Sequence, residues 1–177
     1  LNGTTNFILT KMIRERESFE KALKTAQELG YAERDPSADV EGMDACRKIC
    51  ILASLVFGHE FSPETVKTEG ITAITDEDVR AAEALGYVIK LIGQAKKVGE
   101  KVSLIVAPML VAKNHPLASV EDVFNSILVH GDAVGDAMFY GAGAGKFPTA
   151  SAVVSDVMNA AVGNFYAAVA DGDLPRF

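Results

Sequence analysis

A chain of 177 residues can bury one good core or two small ones, and a composition 49% hydrophobic and 23% charged is that of a folded protein. The formal net charge of −7 argues against nucleic acid as a partner, because such binding rests on basic patches that neutralise phosphates. No uncharged apolar run of about 18 residues exists to span a membrane, and no secretory signal is visible.

The chain opens on Leu1 without a methionine, inside what reads as a structured motif, and so looks like an excised part of something longer. Residues 4 to 13 read as a first helix, with Phe7, Ile8 and Met12 at helical spacing and Thr4 or Thr5 as its cap. Ser18 to Leu29 is a stronger helix: Ser18 caps it, Phe19, Leu23, Ala26 and Leu29 form a stripe, and Gly30 closes it. An acidic loop follows, in which Pro36 bars helix, and Asp39 or Val40 then opens a helix running to Phe57 with Gly58 as its stop. Cys46 and Cys50 lie four apart on that helix. A disulfide there would strain it, so they read as buried free thiols in a reducing, cytoplasmic compartment.

From Pro63 to Ile74 the β-branched content suggests a strand, and Thr75 caps a helix whose acidic first turn suits its dipole. Tyr87 to Gln94 leans towards strand, and "KVSLIVAPMLVA" is the clearest strand of the chain. The lysines of "QAKKVGEK" read as solvated surface. Ser119 is expected to cap a helical turn, "SILVHGD" and "AMFYGAG" to pair as strands, and Thr149 to Tyr166 to form a closing helix. That last helix is apolar nearly all round and predicts packing on something beyond this chain. Helices first and strands later predict an α+β domain, with helices on one face of a mainly antiparallel or mixed sheet.

The acidic loop and its helix raise the functional question. Asp39 as a cap, Asp35-Pro36 as turn chemistry and Asp44–Lys48 as an i,i+4 pair would all suit a solvated surface. On a helical wheel Glu41, Asp44, Arg47, Lys48 and Ser54 share one arc, but Ile51 and Leu55 fall in its middle. A polar face that turns dry predicts a helix buried on all sides in its C-terminal half, with Asp44 and Lys48 facing a cleft. A lysine beside carboxylates is a candidate proton donor, and Glu33 and Asp39 are candidates to hold a substrate ammonium. Paired carboxylates also suit a divalent metal and a hydrolase, but no histidine joins them and the lysine competes for the same charge, so no metal is assigned.

Gly141, Gly143 and Gly145 invite a phosphate-binding label, yet their spacing is G-x-G-x-G, with no βαβ unit before it and no acidic strand end after it. A P-loop fails too, since Phe147 stands where the hydroxyl residue belongs. Two readings stay open for this segment: close backbone approach to an anion before a helix, or a strand-to-helix turn needing positive φ.

Taken together, "LNGTTNFIL", "AQELGYAERDPSADVEGMDACRKICILA", the Phe57-Gly58 after it and "FYGAGAGKFPTASAVVSD" resemble homoserine dehydrogenase, specifically its substrate domain without the N-terminal nucleotide-binding domain. The resemblance implies interconversion of L-aspartate 4-semialdehyde and L-homoserine by hydride transfer with NAD or NADP, in the aspartate-family biosynthesis of threonine, methionine and isoleucine. It implies Lys48 as proton donor with Asp44 beside it, Glu33 and Asp39 as substrate ligands, and Tyr31, Gly3 and Thr4 lining the pocket. Gly143, Ala144 and Gly145 would lie against the cofactor. Residues 1–130 would be the substrate and dimerisation part, and 131–177 a glycine-rich turn and helix returning to the nucleotide-binding domain, in a homodimer. Ala142 departs from the proline that the family usually has there. The missing domain would hold most cofactor contacts and a second lysine. A metal loop would precede Leu1, and in many members a regulatory domain would follow Phe177, so the chain alone is expected to be inactive. A different class of function, a non-enzymatic dimerisation or amino-acid-binding module, would use the same acidic pocket.

Overall fold

The computed structural model describes residues 1–161. Helix α1 (Gly3–Arg14) is capped by Asn2, whose side-chain oxygen accepts the Thr5 N–H, while Thr4 and Thr5 are buried in the first turn. The cap therefore sits two or three residues earlier than Thr4 or Thr5. Helix α2 (Phe19–Glu28) starts at Ser18 as expected, and Gly30 leaves it with φ +75°.

Pro36 does not bar helix. It introduces the single turn α3 (Ser37–Val40), a place where a missing N–H costs nothing. The next helix does not begin at Asp39 or Val40 either. Gly42, at φ +86°, breaks the chain between α3 and α4 (Met43–Phe57), and Gly58 at φ +73° ends α4. Gly42 is also crowded: a Cβ there would meet the Thr68 methyl at 3.2 Å and the Glu69 carbonyl oxygen at 3.3 Å. Opposite it, Gly70 lies so close under Val40 and Glu41 that a side chain would run into their backbone, and the Ile71 N–H donates to the Val40 carbonyl at 2.7 Å.

The β-branched stretch from Pro63 to Ile74 gives only a 3-10 turn (Pro63–Thr65) and a two-residue strand, β1 (Lys67–Thr68). Helix α5 (Asp76–Ala84) carries a full capping box between Thr75 and Asp78. Strands β2 (Tyr87–Val98) and β3 (Lys101–Ala112) form a long antiparallel hairpin, with β1 parallel to the other edge of β3. The resulting mixed sheet has the order β1-β3-β2, and α1, α4 and α5 rest on β2. At Gly93, Ile49 of α4 sits 3.2 Å from where a Cβ would be, so the glycine lets helix and strand approach. A 3-10 turn, Pro116–Ser119, ends at Ser119 rather than starting there. Strands β4 (Phe124–Gly131) and β5 (Gly135–Ala142) pair as a second, two-stranded sheet. Helix α6 (Lys146–Ala161) follows; the expected continuation to Tyr166 lies outside the described residues.

The larger core is built from Phe7, Ile8, Leu9 and Met12 of α1 against Ala22, Ala26, Val40, Ile71, Val79 and Ile89. A smaller one joins Cys46, Ile49 and Cys50 of α4 to Val66 and Val106. Both cysteines are buried free thiols, and burial pushes the Cys50 thiol up. Lys90 of β2 is buried as well, only 5% exposed, and donates to Asn6 Oδ1 at 2.9 Å and the Val120 carbonyl at 2.5 Å. Burial lowers its pKa to about 8. Asn6 in turn donates to the carbonyls of Asp122 and Phe124, which latches the start of α1 to the entry of β4. No helix among the described residues is long and apolar enough to cross a membrane.

Candidate active site

Two carboxylates from different elements converge on one amide. Asn2 Nδ2 donates to Asp39 Oδ1 at 2.6 Å and to Asp44 Oδ2 at 2.8 Å. Asp44 Oδ2 also accepts from Lys48 Nζ at 2.7 Å, one helical turn along α4, and Lys48 donates a second proton to the Leu1 carbonyl at 3.1 Å. Burial pushes the Asp44 carboxyl up, but the hydrogen bonds from Lys48 and Asn2 and the lysine's charge outweigh it, leaving the group below its ordinary value. Asp44 therefore stays an anion at neutral pH and holds the lysine's position. Gly42 makes the convergence possible, because its left-handed backbone swings α4 so that Asp44 meets Asp39 of α3 at α1's first turn.

The other residues expected at the site are placed around this group to different degrees. Thr4 Oγ1 donates to the Tyr31 carbonyl at 2.7 Å, and the Tyr31 ring packs edge-on against Phe7 at 5.1 Å, so the end of α2 is fastened to the start of α1. Gly3 lies under the Val123 carbonyl, 3.0 Å from where a Cβ would stand. Glu33 is exposed; its backbone carbonyl, rather than its carboxylate, is held, by Gln27 Nε2 at 3.1 Å. Asn2 was missed by sequence reasoning. Its signal was present in the cap position before "GTT", one residue ahead of the turn that was singled out.

Gly143 has no room for a side chain because the Asn125 amide fills the space, and that same amide lies 3.7 Å from a Cβ built on Gly3. The glycine segment and the first turn of α1 thus meet on Asn125. Ala144 and Gly145 are exposed, and Gly145 has φ +111°, a conformation that favours glycine. The segment is a bare backbone surface leading into α6.

One expectation needs correction. Ile51 and Leu55 are each 61% exposed, so α4 is not buried on all sides. Its buried residues are Ala45, Cys46, Ile49, Cys50 and Ala53, and nothing among the described residues covers the arc of Ile51 and Leu55. Lys48 accordingly stands at an open surface. A cavity of about 320 Å³ between α1, α5 and β2, lined by Arg14, Glu83, Tyr87 and Lys90, contains none of the expected site residues.

The sequence and fold have close counterparts. The family model for homoserine dehydrogenase matches residues 1–158. The homoserine dehydrogenase of Bacillus subtilis is 54% identical over 158 residues, which are 89% of this chain but 36% of that protein. A crystal structure of the Staphylococcus aureus homoserine dehydrogenase superposes on the whole chain with a TM-score of 0.89 and 50% identity, and 43% of that chain is covered. A hyperthermophilic archaeal homoserine dehydrogenase mutant in complex with NADPH matches 92% of this chain and 46% of its own, at 33% identity and a TM-score of 0.74. The chain thus spans 36% to 46% of the length of these relatives. With motif, fold and identity in agreement over nearly its full length, the chain belongs to the homoserine dehydrogenase family.

Proposed function

We propose that this chain is the substrate-binding and proton-transferring part of a homoserine dehydrogenase, an NAD(P)-dependent oxidoreductase that interconverts L-aspartate 4-semialdehyde and L-homoserine. The observation that carries the reading is the Asp39–Asn2–Asp44–Lys48 group, which presents an oriented ammonium beside two anions at an open surface. An ammonium has three protons. Two of those on Lys48 go to Asp44 and the Leu1 carbonyl, which leaves one for a substrate oxygen.

NAD or NADP, when bound, would supply or accept the hydride. In the reducing direction Lys48 gives its outward proton to the aldehyde oxygen as the carbon becomes an alcohol, and in the oxidising direction the neutral amine takes that proton back. Asp44 fixes the nitrogen in place throughout. Asp39, with Glu33 at the rim, offers negative charge to the amino acid's ammonium, and Thr4 and Tyr31 shape the adjoining wall. Gly143, Ala144 and Gly145 offer backbone to the cofactor, consistent with the NADPH complex of the archaeal relative. Residues 131–177 are read as the return towards the nucleotide-binding domain.

The test is the full-length parent with L-homoserine and NADP or NAD. Lys48→Ala should lower turnover by about 10²–10⁴-fold with unchanged thermal unfolding, the range of general acid–base catalysis; retained turnover overturns the assignment. The 177-residue chain alone should not turn over homoserine, and measurable activity from it would refute the two-part reading. Homodimerisation is proposed on a separate observation. The β4–β5 pair is a two-stranded sheet with Val129, Val134 and Phe139 exposed, and such a pair is marginal without further cover. Sedimentation of the full-length protein as a monomer would remove that proposal.

A further inference from the structure

Asn2 uses its whole hydrogen-bonding capacity in one place. Both Nδ2 protons go to carboxylates, and Oδ1 accepts the Thr5 N–H at 2.8 Å and the Thr5 hydroxyl at 2.9 Å. The residue is only 8% exposed and Thr5 1%. The amide has one permissible orientation: turned over, its oxygen would face two carboxylates and its NH₂ would face the Thr5 N–H. Helix capping thus sets the direction of the donor fork. We propose that Asn2 is a positioning residue, whose fork keeps Asp39 and Asp44 as two separate anions and so leaves Lys48 paired to Asp44 with one proton free; this inference rests on the functional reading above.

Asp39 and Asp44 both lie within hydrogen-bond distance of the same nitrogen, so their charges are close neighbours. Without a donor between them, two such carboxylates share a proton and one titrates upward. A protonated Asp44 would release Lys48, and a shared proton on Asp39 would remove the charge offered to the substrate. The charged groups facing the fork are few. Helix α3 brings Asp39, and α4 brings Asp44 and Lys48. Helix α1 has no acidic side chain in its first turn, and Lys90 of β2 is engaged with Asn6 and Val120.

The experiment separates capping from positioning in the full-length enzyme. Asn2→Ser keeps a good helix cap but has one hydroxyl, which cannot reach both carboxylates. With L-aspartate 4-semialdehyde and NADPH or NADH, the direction in which Lys48 gives up its free proton, its kcat should fall at least about tenfold, and the acid limb of its kcat–pH profile should move up by about one unit, the scale of a like-charge shift. Thermal unfolding should stay near that of the wild type. A wild-type profile and kcat in Asn2→Ser would overturn the proposal and leave Asn2 a cap only. Should Asn2→Ser fail to fold, Asn2→Asp also caps, retains the size and adds a third carboxylate, so its limb should move further; no movement is again fatal. A carbon-13 titration of the Asp39 and Asp44 carboxyls in wild type and variant needs no substrate. It therefore judges Asn2 even if the wild type does not oxidise homoserine, the outcome that would instead sink the functional reading.

Discussion

Lys48 makes a demand on side-chain chemistry that another cation cannot meet. Lys48→Arg in the full-length protein should keep the ion pair with Asp44, yet oxidise homoserine at least about a hundredfold more slowly, because a guanidinium cannot give up its proton to act as a base. Initial rates at pH 7 and 9 check this, and a variant that recovers at the higher pH would contradict it. Lys90 behaves differently, since its partners are neutral. Its folded pKa of about 8 lies below the ordinary 10.5, so the unfolded chain binds its proton more tightly and stability should rise between those two pH values. The rise is on the order of 3 kcal/mol if the whole shift is expressed. Unfolding midpoints of wild type and Lys90→Met across that window should diverge, with the wild type gaining; parallel curves would show that the ammonium is not desolvated. The two lysines also mark what the sequence could tell. The Lys48–Asp44 ion pair was legible from its i,i+4 spacing, while the arc that promised a cleft around it did not hold. Lys90, inside a segment that only leaned towards strand, gave no sign of being buried, because its partners come from positions 6 and 120.

The elements that local chemistry decides were legible: α2 from Ser18, α5 from Thr75 and its acidic first turn, and β3 from its apolar, β-branched run, whereas its antiparallel pairing with β2 came only with the structure. Those decided by distant packing were not. Nothing local distinguishes Gly42 as the joint between α3 and α4; the reason lies in Thr68, Glu69 and Gly70, which need the backbone to pass closely there. The exposed arc of Ile51 and Leu55 misled for the complementary reason, since a wheel shows which residues share a face but not whether anything covers it. Gly70→Ala tests the joint. A methyl group there must displace the Val40–Glu41 backbone, and overpacking of this kind costs about 1–3 kcal/mol. Because that backbone carries Asp39 towards Asn2, KM for homoserine should rise as well. A variant with wild-type stability and KM would show that the approach is loose.

At the scale of the molecule, the surface left by this chain is uneven. Ile51, Leu55 and Val56 form an apolar strip on α4, and Val153, Val154, Val157 and Met158 do so on α6. The isolated chain should self-associate through such strips, and Ile51→Glu with Leu55→Lys should raise its soluble fraction in sedimentation assays. The latch described at the start of α1 has a further consequence, one of time rather than of energy. The fork joins positions 37 and 42 residues apart, whereas Asn6 meets Asp122 and Phe124 across 116 and 118 residues, and Thr10 meets Asp122 across 112. Closing the longer loops demands more chain entropy before any contact rewards it. During refolding the carboxylates should gather around Asn2 first, and protection of the Asp122 amide, which donates to Thr10, should appear last. The surface where Gly3 and Gly143 meet on Asn125 would then be finished only after the proton-handling residues already stand in place.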